Sequence, residues 1–243
     1  MNVVQGAPIN IMSEDQKVSI IEIGEIKNLS RTVSDKLQEM IYTGMLKPGE
    51  RLVQTELAER FRVSRVAIRD ALQELRQSGL AVINSQNGGM TVRPVSAVDI
   101  KNIAFVRAAI EPQIAVEACR NMDPRGFSTL NEIIEKQERL RDDHNYLGFL
   151  KVDWEFHKTF YAYAGNELAL EIIEKLWIRA SQARGMVLIK QDWGAIWSGQ
   201  SIDGHRNIVK AIGAQDEEGL SRNICQNIRK AEKEQLQWFE RIS

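Results

Sequence analysis

Asp153 and His157 stand four residues apart in a stretch, Leu147 to Ala164, whose apolar spacing is that of a helix, so both side chains leave one face a turn apart. That spacing suits two ligands of one metal ion. His205, beside Gly204 near the start of a later helical stretch, offers an imidazole that could close the same site from another direction. A carboxylate with imidazoles suits zinc, nickel, manganese or iron(II). The same residues also read as two partly buried histidines and a helix-surface carboxylate, and spacing alone leaves both readings open.

A second group carries chemistry of another kind. Ser64 is a good N-cap for a helix whose apolar face is Ala67, Ile68, Leu72 and Leu75, which leaves Arg65, Arg69 and Arg76 outward with Asp70 and Gln73 between them. Arg65 and Arg69 lie on one side of its N-terminal half, the part that enters the major groove in helix-turn-helix proteins. An arginine there can take guanine O6 and N7 in bidentate fashion or clamp a phosphate. Between Arg31 and Pro94 ten Lys or Arg face seven Asp or Glu, although the whole chain carries a net charge of only −1. The positive excess therefore sits where a DNA-binding element needs it.

The elements that must position these residues follow from periodicity. Residues 1–28 show no sustained period and read as a flexible arm or a loosely attached strand. Val33, Leu37, Met40 and Ile41 repeat at helical spacing up to Gly44, and Leu57, Ala58 and Phe61 mark a short second helix ending at Arg62-Val63. The helix after Ser64 stops at Gly79. Leu80 to Asn84 and Met90 to Val92 are β-prone and flank Asn87-Gly88, a favoured two-residue hairpin turn. Three helices and a hairpin make a winged helix-turn-helix over residues 29–94.

Ser96-Ala97-Val98-Asp99 reads as a capping box that opens a second domain, 95–243. Only helices are expected there, near 97–120, 125–142, 146–164, 167–190, 202–213 and 217–240, with Trp193 to Ser201 as a connection and Pro112 as a kink or interruption. Helices of this length joined by short turns predict an antiparallel bundle. The fold class is thus mainly α, and a nucleotide-binding α/β domain is excluded.

The absence of a long apolar run and of a basic, apolar-centred N-terminus predicts a cytoplasmic protein without membrane contact. Cys119 and Cys225, lacking C-x-x-C spacing, suit a reducing compartment as small apolar residues. No nucleophile elbow or H-E-x-x-H occurs. An enzyme is therefore not expected, and a metal-dependent enzyme with a DNA-binding appendage is the remote alternative.

The run Ile41-x-x-Gly44-x-Leu46-x-Pro48-Gly49-x-x-Leu52, then Glu56-Leu57-Ala58, then Val63-Ser64-Arg65-x-x-Ile68-Arg69-x-Ala71-Leu72-x-x-Leu75-x-x-x-Gly79-Leu80 resembles the GntR family of bacterial regulators. The resemblance implies that Arg65 and Arg69 contact an operator, that Ser64 caps the recognition helix onto a phosphate, and that the wing tip enters the minor groove. Thr55 stands where some relatives carry a basic residue and can reach a phosphate without adding charge. Asn87 and Gly88, followed by Gly89, replace a Gly-basic-Gly wing, so minor-groove contact falls to backbone amides and the Asn side chain.

Phe105-x-Arg107-x-x-x-Glu111, Asp153-x-x-Phe156-His157, Ala164-Gly165-Asn166 and Gly204-His205-x-x-Ile208-x-x-Ala211-Ile212 resemble the FCD ligand-binding domain of the FadR-like subgroup. In its metal-binding members an Asp and three His surround one ion. Counting on from His205 to the position of the last His gives Asn227, which can coordinate through its carbonyl oxygen but supplies no charge. The resemblance also implies a small carboxylate effector beside the ion, met by arginines, for which Arg107 and Arg179 are the candidates and Arg184 a third. Arg107 can equally form a salt bridge with Glu111. The function implied is a metabolite-responsive repressor, acting as a homodimer on double-stranded operator DNA. The alternative within that class is a regulator without metal that holds a larger acyl-type ligand.

Overall fold

The computed structural model describes residues 29–84, 88–188 and 191–242. Helix α1 (29–42) is followed by α2 (Gln54–Phe61) and α3 (Arg65–Gln77), then by strands β1 (Ala81–Ile83) and β2 (Met90–Val92). Arg62, left-handed at φ 56°, ends α2 by turning its N–H back onto the Glu59 carbonyl. Ser64 caps α3 as expected, its Oγ accepting the Ala67 N–H at 3.2 Å. Gly79 ends α3 at φ +85°, a conformation that favours glycine, and lets the Leu80 N–H reach back to the Leu75 carbonyl.

β1 and β2 pair antiparallel with Val82 opposite Thr91, and Arg51 adds a bridge to Thr91. The last bond before the connection runs from the Asn84 N–H to the Gly89 carbonyl. The connection is therefore longer than the two-residue Asn87-Gly88 turn expected. Asn87 itself, and the arm expected over 1–28, lie outside the described residues.

Six helices follow: α4 (Ala97–Asn121), α5 (Pro124–Asp142), α6 (Tyr146–Ala162), α7 (Glu167–Leu188), α8 (Gln191–Gly213) and α9 (Glu217–Ile242). Side-chain caps explain three of their starts. Ser96 accepts the Asp99 N–H, Asp123 accepts the Gly126 N–H ahead of Pro124, and Asn145 accepts the Gly148 N–H. α4 lies along α9, α5 packs on α6 and α8, and α7 packs on α4 and α6. Phe149, Phe156 and Phe160 of α6 are fully buried at the centre, each contributing about 1.5–3 kcal/mol by leaving water.

Two expectations are corrected. α4 is not interrupted at Pro112, which is buried within the helix. Trp193 to Ser201 is not a connection but part of α8: a side chain on Gly194 would meet the Tyr146 ring, and further along the same helix one on Gly204 would meet the Asn227 amide. Close approach of neighbouring elements, not turn geometry, accounts for those two glycines.

The two domains share a seam on α7. Leu150 belongs to the apolar core of the winged helix, and Leu147, Ile178 and Trp197 pack against it. The Gln182 amide donates to the Arg93 carbonyl in the linker at 2.8 Å, while Arg93 Nε donates to the Gly79 carbonyl. Gly185 lies directly against the Tyr42 carbonyl, where a Cβ has no room.

Candidate functional site

Helices α4, α6, α7, α8 and α9 surround a cavity lined by Arg107, Glu111, Asp153, His157, Arg184 and His205 among others. All six are buried, at 7% exposure or less. Asp153 and His157 come from one face of α6, as their spacing requires, and α8 brings His205 opposite them. The ligand-capable atoms of these three lie within 4.8 Å of one another. His205 Nε2 is 3.1 Å from His157 Nε2 and 3.6 Å from Asp153 Oδ1.

Gln137 of α5 orients His205. Its Oε1 lies 2.8 Å from His205 Nδ1, which assigns the proton to Nδ1 and turns the Nε2 lone pair toward Asp153 and His157. Phe156 stacks on the His205 ring at 3.9 Å and fixes its plane. His157 Nδ1 is buried without a hydrogen-bond partner.

Electrostatics keep both imidazoles neutral. Burial first, then the competition with His205 for a proton and the charges of Arg107 and Arg184, hold His157 well below the usual histidine range. Burial pushes His205 down to about 4, against the pull of Asp153. The His205 contact with Asp153 is accordingly polar rather than an ion pair. Neutral imidazoles beside a carboxylate are the protonation state that metal ligation needs.

Two ion pairs complete the walls. Arg107 Nε and Nη2 take Glu111 Oε1 and Oε2 at 2.5 and 3.2 Å. Glu111, wholly buried, also accepts the Tyr161 hydroxyl at 3.0 Å and the Trp177 indole N–H at 3.1 Å. Burial works against the Arg107 charge, and the Glu111 charge and hydrogen bonds outweigh it. Arg184 Nη1 donates to Asp153 Oδ2 at 2.9 Å, and the Ser201 hydroxyl donates to Asp153 Oδ1 at 2.5 Å. Arg184 Nε has no partner, and its guanidinium lies over the Trp177 and Trp197 rings. The two arginines cancel Glu111 and Asp153, so the polar centre is close to neutral.

The α3 surface is the opposite case. Arg65 and Arg69 are exposed, and Arg69 is held by its neighbour Asp70 at 3.2 Å. Among the described residues Arg65 has no ion pair. Thr55, in the first turn of α2, Ser64 and Gly88 are likewise exposed.

Comparison with known proteins places the chain in a family. The sequence profile of the bacterial regulatory proteins of the gntR family matches residues 29–91, and that of the FCD domain matches residues 102–230. The chain belongs to the GntR family of regulators. It is 27% identical over 212 residues to the HTH-type transcriptional regulator McbR of Escherichia coli, covering 84% of this chain and 94% of that protein. It is 26% identical over 198 residues to the HTH-type transcriptional repressor RspR of Escherichia coli, covering 80% and 86%. The solved structure of E. coli McbR/YncC shares the fold with a TM-score of 0.75 at 23% identity, covering 87% of this chain and 98% of that one. A GntR regulator from Rhodococcus sp. RHA1 gives 0.69 at 21%, covering 85% and 97%. This GntR-family chain is a DNA-binding transcription regulator with an FCD domain, and among its described residues no helix is long and apolar enough to cross a membrane.

Of the residues singled out in the sequence, Asp153, His157, His205 and Arg107 meet in this cavity, and Asn227 lines it from α9, over Gly204. Arg179 does not. It pairs with Asp99 at 2.8 Å and packs on Gly79 at the domain seam, outside the Asp153 cavity. α7 turns Arg184 inward instead, because Arg184 is seven residues, two turns, beyond Trp177. Gln137, Tyr161, Trp177 and Ser201 were not foreseen. Ser201 lies four residues before His205, a spacing hidden by the connection assumed at Trp193 to Ser201.

Proposed function

We propose that the regulator is a metabolite-responsive repressor whose FCD domain holds a divalent ion at Asp153, His157 and His205, with Asn227 offering a carbonyl oxygen, and binds a small carboxylate beside it. The observation that carries this reading is the convergence of three buried donors, with the His205 tautomer set by Gln137. The donor set fits an ion: a carboxylate oxygen that accepts one hydrogen bond keeps a further lone pair, and both imidazoles are neutral. What a bound ion supplies is two positive charges in a centre that Arg107, Glu111, Asp153 and Arg184 leave near neutral. An anion then restores the balance. Arg184, with its Nε unpaired, is better placed than Arg179 to meet that anion, and Arg107 forms the adjoining wall.

DNA contact falls to Arg65 and Arg69 for base edges, and to Thr55, Ser64 and the Asn87-Gly88 wing for phosphates and the minor groove. The repressor reading is supported by the relative named RspR. A homodimer in the cytoplasm is the form proposed, because one module of this size gives little specific affinity. Exposed Val98 and Phe105 on α4 offer apolar surface to a second copy.

One observation favours a regulator without metal. The 3.1 Å contact between His157 and His205, with both Asp153 oxygens bonded, closes the group without an ion. Elemental analysis of untagged protein separates the two. About one equivalent of metal per chain, lost in the Asp153→Ala, His157→Ala double variant, is expected; none in the native chain sinks the metal reading. Unchanged return of candidate carboxylates after incubation separates a sensor from an enzyme.

A further inference from the structure

Trp177 stands between two cavities. On one side it lines the polar cavity, its ring 4.5 Å from that of His157 and beneath the Arg107 guanidinium at 4.1 Å. On the other it lines a crevice at the domain seam, bounded by Gln38 and Tyr42 of α1 and by Leu150, Trp154 and Ile178 of the bundle. Trp154 stacks obliquely on its outer face, centroids 5.4 Å apart. Glu111 fixes the ring by accepting its N–H, and the same carboxylate holds Arg107 and Tyr161.

The α1 end of the crevice is equally constrained. Tyr42 is buried, its hydroxyl accepts from the Gln38 amide at 2.8 Å, and its carbonyl lies on Gly185 of α7. One helix thus turns Trp177 and Arg184 into the cavity and Ile178 and Gly185 toward the DNA-binding domain. Packed interiors transmit a displacement rather than absorb it.

We propose that Trp177, held by Glu111, is the positioning residue through which the state of the polar cavity is passed to the C-terminal turn of α1 and so to the winged helix. This rests on the reading of that cavity as the effector site. An anion that draws on Arg107 or Arg184 competes with the carboxylates now pairing them, and release of Glu111 frees the Trp177 ring to tilt. Trp154 and Ile178 then shift under Tyr42, which changes how firmly α1 sits on α7. By linkage, DNA that favours one seating of α1 favours the matching state of the cavity.

Amide hydrogen exchange on the full-length protein tests this without a known effector. Glu111→Gln disturbs the cavity directly, and exchange at residues 38–43 is expected to rise about fivefold, the worth of one buried hydrogen bond, while residues 68–75 of α3 hold steady. Trp177→Phe, which keeps a ring but loses the N–H, is the second variant should Glu111→Gln not fold, with the same segment responding. Zn2+ added to metal-stripped protein should alter 38–43 in the native chain and not in Trp177→Phe, metal content being measured in both.

An unchanged 38–43 segment in a folded Glu111→Gln or Trp177→Phe protein overturns the proposal. So does a change confined to residues 79–80 and 93–95, which would route the signal past Arg107 instead, or an equal rise in α3, which is loosening of the whole domain. Failure of the native chain to bind Zn2+ removes the metal reading alone, because the two variants decide the Trp177 proposal without it.

Discussion

Four arginines divide this regulator into two regions. Arg65 and Arg69 project from α3 into solvent, and among the described residues one has no ion pair and the other is bound to its neighbour. Arg107 and Arg184 are buried, each matched to one carboxylate and stacked on Trp177. The outer pair is exposed and at most loosely held by a neighbouring carboxylate, which leaves it open to a phosphate or a guanine edge. Burial forbids that for the inner pair, because an unpaired charge inside a protein costs far more than its pairing returns. The same side chain is thus a reader of an external partner in one region and part of a balanced interior in the other.

Glu111→Ala should break the inner region hardest. It strands Arg107 and removes the acceptor of Tyr161 and Trp177, for an expected loss of about 3–5 kcal/mol in urea unfolding. A loss below about 1 kcal/mol would mean that water reaches Arg107 and that the interior is not balanced as described.

Arg65→Ala addresses the outer region. Affinity for an operator selected from random DNA should fall by about 1–3 kcal/mol by fluorescence anisotropy, with no change in the thermal midpoint. A lowered midpoint with DNA binding intact would invert the comparison.

Gly185→Ala probes the seam that joins the regions. A methyl against the Tyr42 carbonyl forces α1 away from α7 at about 1–2 kcal/mol, and protease should then cut between the domains sooner while the FCD fragment survives. Cleavage at the native rate would show that the seam tolerates the methyl.

Ser64→Ala should have the smallest effect. Loss of the N-cap costs about 1 kcal/mol of stability, and DNA affinity falls with it because the cap sets the first turn that carries Arg65. Ser64→Gly, a better N-cap than alanine that also lacks the hydroxyl, should recover most of the stability; affinity that stays low in it would separate phosphate contact from capping.

Local patterns carried most of the fold. Helical periods, Ser64 and Ser96 as caps, and Gly79 as a stop are short-range features, and all appear where the residues place them. The α8 start was missed because the glycine-containing stretch Trp193 to Ser201 read as a connection along the chain, whereas across the bundle Gly194 makes room for Tyr146. Pro112 does not interrupt α4, which carries it buried.

For the site, the sequence by itself determined that Asp153 and His157 share one face, because helix geometry fixes residues four apart, and that Arg65 and Arg69 point outward, because apolar residues claim the other side of α3. Only the tertiary structure decided that His205 meets them, that Gln137 sets its tautomer, and that α7 turns Arg184 rather than Arg179 into the cavity. Those outcomes depend on how helices far apart in the chain rotate and pack against one another. No spacing along a single helix specifies that rotation; the burial of Phe149, Phe156 and Phe160 against the surrounding helices does.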